Sequence, residues 1–169
     1  RAAAFALADE GLASLTIANR TQERALALAN GVAGSISRVS AVPLDVRALQ
    51  EVAPGVDLIL NATSMGMSHG AAQGRTPLSA DLISPSVLVY DMVYTPLETP
   101  LMAEARKAGA RALGGLSMLV FQGAASFELW TGREAPVEVM LRAAETALAA
   151  SPAADSASPR VFSGAVASM

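Results

Sequence analysis

The sequence contains no cysteine, and it has only one histidine (His69) and one lysine (Lys107). The absence of cysteine excludes disulfide bonds, thiolate catalysis and zinc–thiolate sites, and a single histidine excludes a metal site built from several histidines. Charged residues make up only 16% of the 169 residues, and the net charge of −3 comes with no basic stripe. A nucleic-acid-binding surface is therefore not expected.

Long hydrophobic runs are also missing, although 52% of the residues are hydrophobic and the mean hydropathy is +0.40. No uninterrupted apolar run reaches the ~18 residues that a membrane-spanning helix needs. The most apolar stretch, residues 115–130, is interrupted by Gln122 and Glu128. It predicts a buried helix of a soluble protein, and the chain is long enough for one domain with a hydrophobic core.

The two ends of the sequence differ from its middle. Residue 1 lies in an apolar, helical pattern that lacks an initiator methionine, a helix N-cap and a signal-peptide pattern. We therefore expect the sequence to be a fragment of a longer protein. Residues 151–169 are rich in alanine, serine and proline without a sustained period, which predicts disorder, so the domain is expected to span residues 1–150.

Strand and helix patterns alternate along residues 1–150. Strands are predicted at 12–19, 35–42, 56–63, 87–94 and 110–115, and helices at 1–11, 21–34, 45–53, 97–109, 116–131 and 136–149. This alternation indicates βαβ crossovers, and hence an α/β, doubly wound, mostly parallel sheet. Such sheets bind ligands beyond the carboxyl ends of their strands, which selects residues 19–21, 61–67, 91–94 and 114–115.

Asn19, Arg20 and Thr21 follow the first predicted strand, and Arg24 lies one helical turn further on. In a dinucleotide-binding fold, an acidic residue near this point holds the ribose 2′-hydroxyl of NAD, whereas an arginine accommodates the 2′-phosphate of NADP. Here the strand ends without an acid, and two guanidinium groups could grip a phosphate at a helix N-terminus. A helix capped by Thr21, with two solvated arginines, explains the same residues, and this stretch alone leaves both interpretations open.

The other strand ends carry weaker signals. Thr63 and Ser64 lie in the segment NATSMGM (61–67), where Gly66 allows a ligand to approach closely, but an ordinary polar turn explains this segment as well. Tyr94 follows another strand, where a buried tyrosine bonded to the backbone is the more frequent outcome. His69 lies in a loop of small and polar residues, which is typical of a solvated surface side chain.

Gln122 lies on the most apolar predicted helix, among leucine, valine, phenylalanine and alanine. If it is buried, its amide needs polar partners, because leaving it unpaired costs on the order of 1–3 kcal/mol. Those partners are either core backbone groups or a polar ligand, and we favour the ligand. Gly114 and Gly115 precede this helix as a plain loop or as a close approach of the backbone to a ring.

Four motifs, in this order, resemble one family. ANRT-x-x-R (18–24), NATS-x-G-M (61–67), VYDMVYTPLETPLM (89–102) and GGLSMLVFQGAASFELWTG (114–132) are similar to the C-terminal cofactor domain of shikimate dehydrogenase. Each motif is short, but the four occur in order, and the resemblance covers roughly residues 1–149. The resemblance implies a Rossmann-like fold, NADP as cofactor, and reversible NADPH-dependent reduction of 3-dehydroshikimate to shikimate, a small-molecule substrate. It also implies a cytoplasmic enzyme without nucleic-acid or membrane partners, and it leaves monomer and homodimer open.

The resemblance assigns roles to individual residues by matching position. Asn19, Arg20, Thr21 and Arg24 would bind the adenosine 2′-phosphate, and Thr63 and Ser64 would lie along the cofactor. Met92 and Gly115 would contact the nicotinamide half, with Met118 on the same side. Tyr94 and Gln122 would reach the hydroxyls or the carboxylate of the substrate.

Two parts of the family pattern have no counterpart in the sequence. The Gly-rich phosphate loop that follows the family's first strand would lie before Arg1, and so would the substrate domain with its catalytic lysine–aspartate pair. Lys107 cannot replace that lysine, because it lies at a predicted helix end where a solvated side chain is expected. The chain alone is therefore expected to be inactive, to contain no catalytic residue, and to bind NADP weakly.

Three alternatives remain at this point. The first is a quinate/shikimate dehydrogenase that uses NAD, and an acidic residue after the first predicted strand of this chain would support it. Glutamyl-tRNA reductase has a related domain but should show basic, tRNA-binding character. A non-catalytic nucleotide-binding module is the alternative outside the oxidoreductases.

Overall fold

The computed structural model describes residues 1–150 and the backbone of residues 160–161. The helices of this part of the chain are α1 (Ala2–Asp9), α2 (Gln22–Val32), α3 (Val46–Val52), α4 (Pro100–Lys107), α5 (Leu116–Thr131) and α6 (Val137–Ala150). The strands are β1 (Ser14–Asn19), β2 (Arg38–Pro43), β3 (Leu58–Asn61), β4 (Arg75–Thr76), β5 (Leu88–Asp91), β6 (Arg111–Gly114) and β7 (Arg160–Val161). The contacts divide these elements into two compact units, with the boundary between Gly55 and Val56.

The first unit contains a βαβ motif. Strands β1 and β2 pair in parallel, from Ser14 opposite Arg38 to Asn19 opposite Pro43, and α2 connects them. A small hydrophobic core forms where the apolar face of α2 meets α1 and the start of β2, and its buried members are Ala8, Val32 and Ile36. Only Arg20 and Thr21 separate the carboxyl end of β1 from the first residue of α2.

The second unit contains a parallel sheet in the order β3–β5–β6. One face of its central strand is fully buried and the other is half-buried, since Val89 and Asp91 are 0% exposed and alternate with the half-buried Leu88 and Tyr90. Leu101 and Ala105 of α4 are also buried. Parallel strands with helical crossovers in each unit confirm the predicted α/β class.

The strands of the second unit are shorter than the apolar runs that predicted them. The runs over residues 56–63 and 87–94 form strands only as far as Asn61 and Asp91, respectively. Both side chains accept a hydrogen bond from the backbone N–H two residues further along, which turns the chain out of the sheet. The short polar side chains thus end each strand at the same edge.

Helix α5 is less buried than its composition predicts, so the expectation of a buried helix is wrong for most of its surface. Only Leu116, Val120 and Ala124 are buried, whereas Trp130 is 80% and Leu129 82% exposed. A helix that is apolar on every side carries no periodic signal for the face that packs against its neighbours. One side of α5 lies against α6, where a Cβ on Gly123 would lie 3.2 Å from Cε of Met140.

Within the described ranges, no helix is both long enough and apolar enough to cross a membrane. The predicted disorder of residues 151–169 falls outside the described residues, except at β7, whose backbone pairs in parallel with β4.

Candidate functional site

The turn between β1 and α2 is held by its own side chains. Oδ1 of Asn19 accepts a hydrogen bond from the backbone N–H of Thr21 at 2.9 Å, which forms an Asx-turn. Thr21 occupies the N-cap position with extended backbone, but its side chain makes no capping hydrogen bond. The capping role predicted for the Thr21 hydroxyl is therefore wrong, and the amide of Asn19 shapes the start of the helix instead.

Arg20 and Arg24 both lie on the surface of this turn. Neither forms an ion pair with any other residue that the structure describes, in contrast to Arg47, whose Nε lies 3.8 Å from Oε1 of Glu51. Two unpaired guanidinium groups beside a helix N-terminus are an arrangement that favours a bound phosphate.

In the second unit, the ends of β3 and β5 are joined by two buried side chains. Nδ2 of Asn61 donates to Oδ1 of Asp91 at 2.9 Å, and both residues are almost completely buried. The same Asp91 oxygen accepts the backbone N–H of Val93 at 3.0 Å. Oδ2 of Asp91 accepts the hydroxyl of Thr99 at 2.7 Å, and Thr99 in turn caps α4 by accepting the N–H of Met102.

Asp91 is a buried carboxyl group without a cation. Burial raises the pKa of Asp91 above its usual value, and the hydrogen bonds from Thr99, Val93 and Asn61 oppose that shift. No cationic side chain in the described part of the chain pairs with it. The carboxylate is thus satisfied by neutral donors alone.

The loop after β3 is bonded to Asn61. Oδ1 of Asn61 accepts both the backbone N–H of Thr63 at 3.0 Å and its hydroxyl at 2.7 Å. Oγ1 of Thr63 also accepts the N–H of Met65 at 3.1 Å. The hydroxyl proton of Thr63 is therefore used within the loop, while Ser64 is exposed on its surface.

Gly66 is necessary for the shape of the same loop. Its φ is +88°, and a Cβ there would lie 3.1 Å from Cδ of Pro100 and 3.2 Å from the carbonyl oxygen of Arg75. The close approach that the sequence predicts at Gly66 is thus an approach to the protein's own chain, because the residue is buried.

Gly115 approaches the chain beyond β5. Its N–H donates to the carbonyl oxygen of Val93 at 3.2 Å, and a Cβ on Gly115 would lie 2.2 Å from the carbonyl oxygen of Met92. The predicted nicotinamide-side residues Met92 and Gly115 therefore lie against each other. The start of α5 is fixed to the exit of β5 by contacts that only glycine permits.

The remaining predicted residues show no polar contact that defines a role. Tyr94 and Met118 are half-buried, on the exit of β5 and on α5 respectively. Gln122 is exposed, so the argument that its amide needs partners in a core is wrong. Lys107 lies at the end of α4, where its Nζ donates to Oε1 of Glu104 at 2.6 Å.

The sequence reasoning missed the network of Asn61, Asp91 and Thr99. The signal was available, since Asn61 and Asp91 each end an apolar run and Thr99 precedes a proline at the start of a helix. The sequence does not show the register of the two parallel strands, which aligns Asn61 with Asp91.

The parallel βαβ architecture, with polar residues at the carboxyl ends of the strands, defines a Rossmann-like α/β domain. Residues 115–145 match the family model described as Shikimate 5'-dehydrogenase C-terminal domain. The chain is 49% identical over 152 residues to the NADP(+) shikimate dehydrogenase of Moorella thermoacetica, covering 89% of this chain and 51% of that protein. It is 47% identical over 140 residues to that of Halorubrum lacusprofundi, covering 83% and 47%.

Two solved structures are also similar to the chain. Shikimate 5-dehydrogenase from Thermus thermophilus, in complex with NADP(H) and shikimate, matches with a TM-score of 0.71 and 38% identity over 87% of this chain and 51% of that chain. Quinate dehydrogenase from Corynebacterium glutamicum, in complex with NAD, matches with a TM-score of 0.74 and 33% identity over 87% and 51%. The chain is thus similar to shikimate dehydrogenases, and it spans about half the length of the curated relatives that it matches.

Proposed function

We propose that the chain is the cofactor-binding part of an NADP-dependent shikimate dehydrogenase. The whole enzyme would reduce 3-dehydroshikimate to shikimate reversibly, in the biosynthesis of aromatic amino acids. The similarity to curated NADP(+) shikimate dehydrogenases over 89% of the chain supports this activity.

The observation that carries the choice of NADP is the β1–α2 turn. Arg20 and Arg24 are exposed and form no ion pair with any described residue, and β1 ends in an amide instead of a carboxylate. A carboxylate at that position would repel a 2′-phosphate, whereas guanidinium groups bind it through charge-assisted hydrogen bonds. In this proposal Asn19 and Thr21 complete the phosphate site through the turn that they form.

The second unit carries further candidate cofactor residues. Ser64 is exposed beyond β3, with Thr63 beside it, and Met92 lies against Gly115 at the start of α5. We propose that Thr63 and Ser64 lie along the cofactor and that Met92, Gly115 and Met118 lie on its nicotinamide side. Tyr94 and Gln122 are assigned to the substrate.

The chain's own residues bind and orient, and none of them transfers a proton to the substrate. NADPH, when bound, supplies the hydride for the ketone. Lys107 is the single lysine of the sequence, and it is bonded to Glu104 at the end of α4, so it is not proposed as an acid. We therefore assign no catalytic residue to this chain and expect it to bind cofactor without turning over substrate.

Binding of adenosine 2′,5′-bisphosphate and of 5′-AMP to the chain tests this proposal, because the two ligands differ by the 2′-phosphate alone. Isothermal titration calorimetry should show that the bisphosphate binds about 10- to 100-fold more tightly, as one or two charge-assisted hydrogen bonds imply. Equal affinities would contradict the assignment of the turn to NADP.

An NAD-dependent quinate or shikimate dehydrogenase is the second candidate. The structural match to a quinate dehydrogenase in complex with NAD favours it, and the lack of an acid at the end of β1 opposes it. Comparing the rates of the whole enzyme with NADPH and NADH decides between them, since equal rates would exclude the NADP-specific function. A cytoplasmic location and the choice between monomer and homodimer stay predictions of the family resemblance.

A further inference from the structure

A buried carboxylate at the end of β5 has no part in the function proposed so far. Asp91 is 0% exposed and accepts hydrogen bonds from Asn61, Val93 and Thr99, which lie on three different segments. A strand end does not need a carboxylate for its own stability, because burial disfavours the charged form. Its position next to the candidate cofactor residues suggests another reason for it.

Asp91 fixes the orientation of the Asn61 amide. Nδ2 of Asn61 donates to Asp91 at 2.9 Å and to the carbonyl oxygen of Met65 at 3.4 Å, while Oδ1 accepts the N–H and the hydroxyl of Thr63. Reversing the amide would place its oxygen against the carboxylate and its NH2 against the Thr63 N–H. The carboxylate therefore selects the one orientation in which all four of these bonds form.

The same carboxylate holds the exit of β5. Its bond to the N–H of Val93 fixes the residue between Met92 and Tyr94. The carbonyl oxygen of Val93 accepts the N–H of Gly115 in turn. One side chain thus connects the loop of Thr63 and Ser64 with the start of α5.

We propose that Asp91 is a positioning residue for the nicotinamide side of the cofactor, acting through Asn61 and Val93 on the segments that contact the ligand. This inference rests on the proposed function. It extends that function by assigning the geometry of the nicotinamide side to one fully buried side chain.

The test compares two ligands on the 169-residue chain. NADPH carries a nicotinamide as well as the adenosine 2′-phosphate, whereas adenosine 2′,5′-bisphosphate carries no nicotinamide. Asp91→Asn should weaken NADPH binding about 10-fold and reduce the fluorescence change of the bound nicotinamide, while the affinity for the bisphosphate changes less than about twofold.

Glu104→Gln is the matched control. Glu104 is also a buried carboxylate of the second unit, but it accepts the N–H of Ala80 and pairs with Lys107 away from the strand ends. Glu104→Gln should leave the affinities for NADPH and for the bisphosphate unchanged. If Asp91→Asn binds NADPH as tightly as Glu104→Gln does, the positioning role is wrong, and an equal loss for both ligands would also overturn it.

A milder pair of variants covers the case in which Asp91→Asn does not fold. Thr99→Val removes one donor to the carboxylate, and Thr99→Ser keeps the hydroxyl. NADPH should bind more weakly to Thr99→Val than to Thr99→Ser, with equal binding of the bisphosphate, and equal NADPH affinity would refute the assignment. A wild-type chain that binds no bisphosphate would instead contradict the proposed function itself.

Discussion

Gly115 lies so close to Met92 that a Cβ on the glycine would be 2.2 Å from the methionine's carbonyl oxygen. The neighbouring atom belongs to the backbone, so no side-chain rotation can make room for it. This contact joins the start of α5 to the exit of β5 at the candidate nicotinamide side.

Gly115→Ala should therefore destabilise the chain by about 1–3 kcal/mol or more, because the backbone of β5 or α5 must shift to relieve the overlap. Urea denaturation followed by circular dichroism measures the change. Gly34→Ala is the control, since a Cβ on Gly34 meets no atom within 4 Å. If both variants lose the same stability, the contact between Gly115 and Met92 is not as tight as the structure shows.

The arginines of the β1–α2 turn should control binding of the 2′-phosphate. Arg20→Ala and Arg24→Ala are each expected to weaken binding of adenosine 2′,5′-bisphosphate by about 10-fold or more, and to leave 5′-AMP nearly unaffected. Arg38→Ala removes an exposed arginine from the start of β2, at the opposite end of the sheet. If Arg38→Ala loses as much bisphosphate affinity as the two turn variants do, the arginines act through general electrostatic attraction and not through a specific site.

The buried carboxyl of Asp91 should make stability depend on pH. Its pKa is raised by burial above the ordinary value of about 3.9, so the folded state binds more protons than the unfolded state between the two pKa values. The contribution of Asp91 to the free energy of unfolding is therefore largest below the unfolded pKa. It is lost as the pH rises through the folded pKa.

Urea denaturation of wild type and Asp91→Asn between about pH 3 and pH 7 measures this contribution. The stability of wild type relative to the variant should fall as the pH rises. A relative stability that rises with pH would mean that the three hydrogen bonds outweigh burial and that the folded pKa is lowered.

Trp130 is the only tryptophan of the sequence, and it is 80% exposed on α5. Its emission in the folded chain should be quenched by acrylamide nearly as efficiently as that of the unfolded chain. Trp130→Ser should change stability by less than about 0.5 kcal/mol. Val120→Ala, at a buried position of the same helix, should cost about 2 kcal/mol. Strong protection of Trp130 from the quencher would contradict the exposed face of α5.

The order of helices and strands could be predicted because each element has its own local pattern. The turn from Asn19 to Arg24 could also be located, since it follows directly from the end of a strand and the start of a helix. The exposure of Gln122 could not be predicted, because α5 is apolar all around and only the packing of its neighbours decides which face is covered. The bond between Asn61 and Asp91 depends on the register of two strands that lie 30 residues apart in the chain.

The side-chain bond that shapes the β1–α2 turn is internal to a short stretch, since Asn19 bonds to Thr21, and both arginines lie outside the hydrophobic core. Replacing the codons for residues 19–24 would therefore leave the packing of α1 and α2 intact. On the proposed function, the residues that select the cofactor can therefore be substituted without disturbing the core. A few substitutions within residues 19–24 should change the preference between NADP and NAD, whereas a change on the nicotinamide side needs coordinated substitutions in several segments.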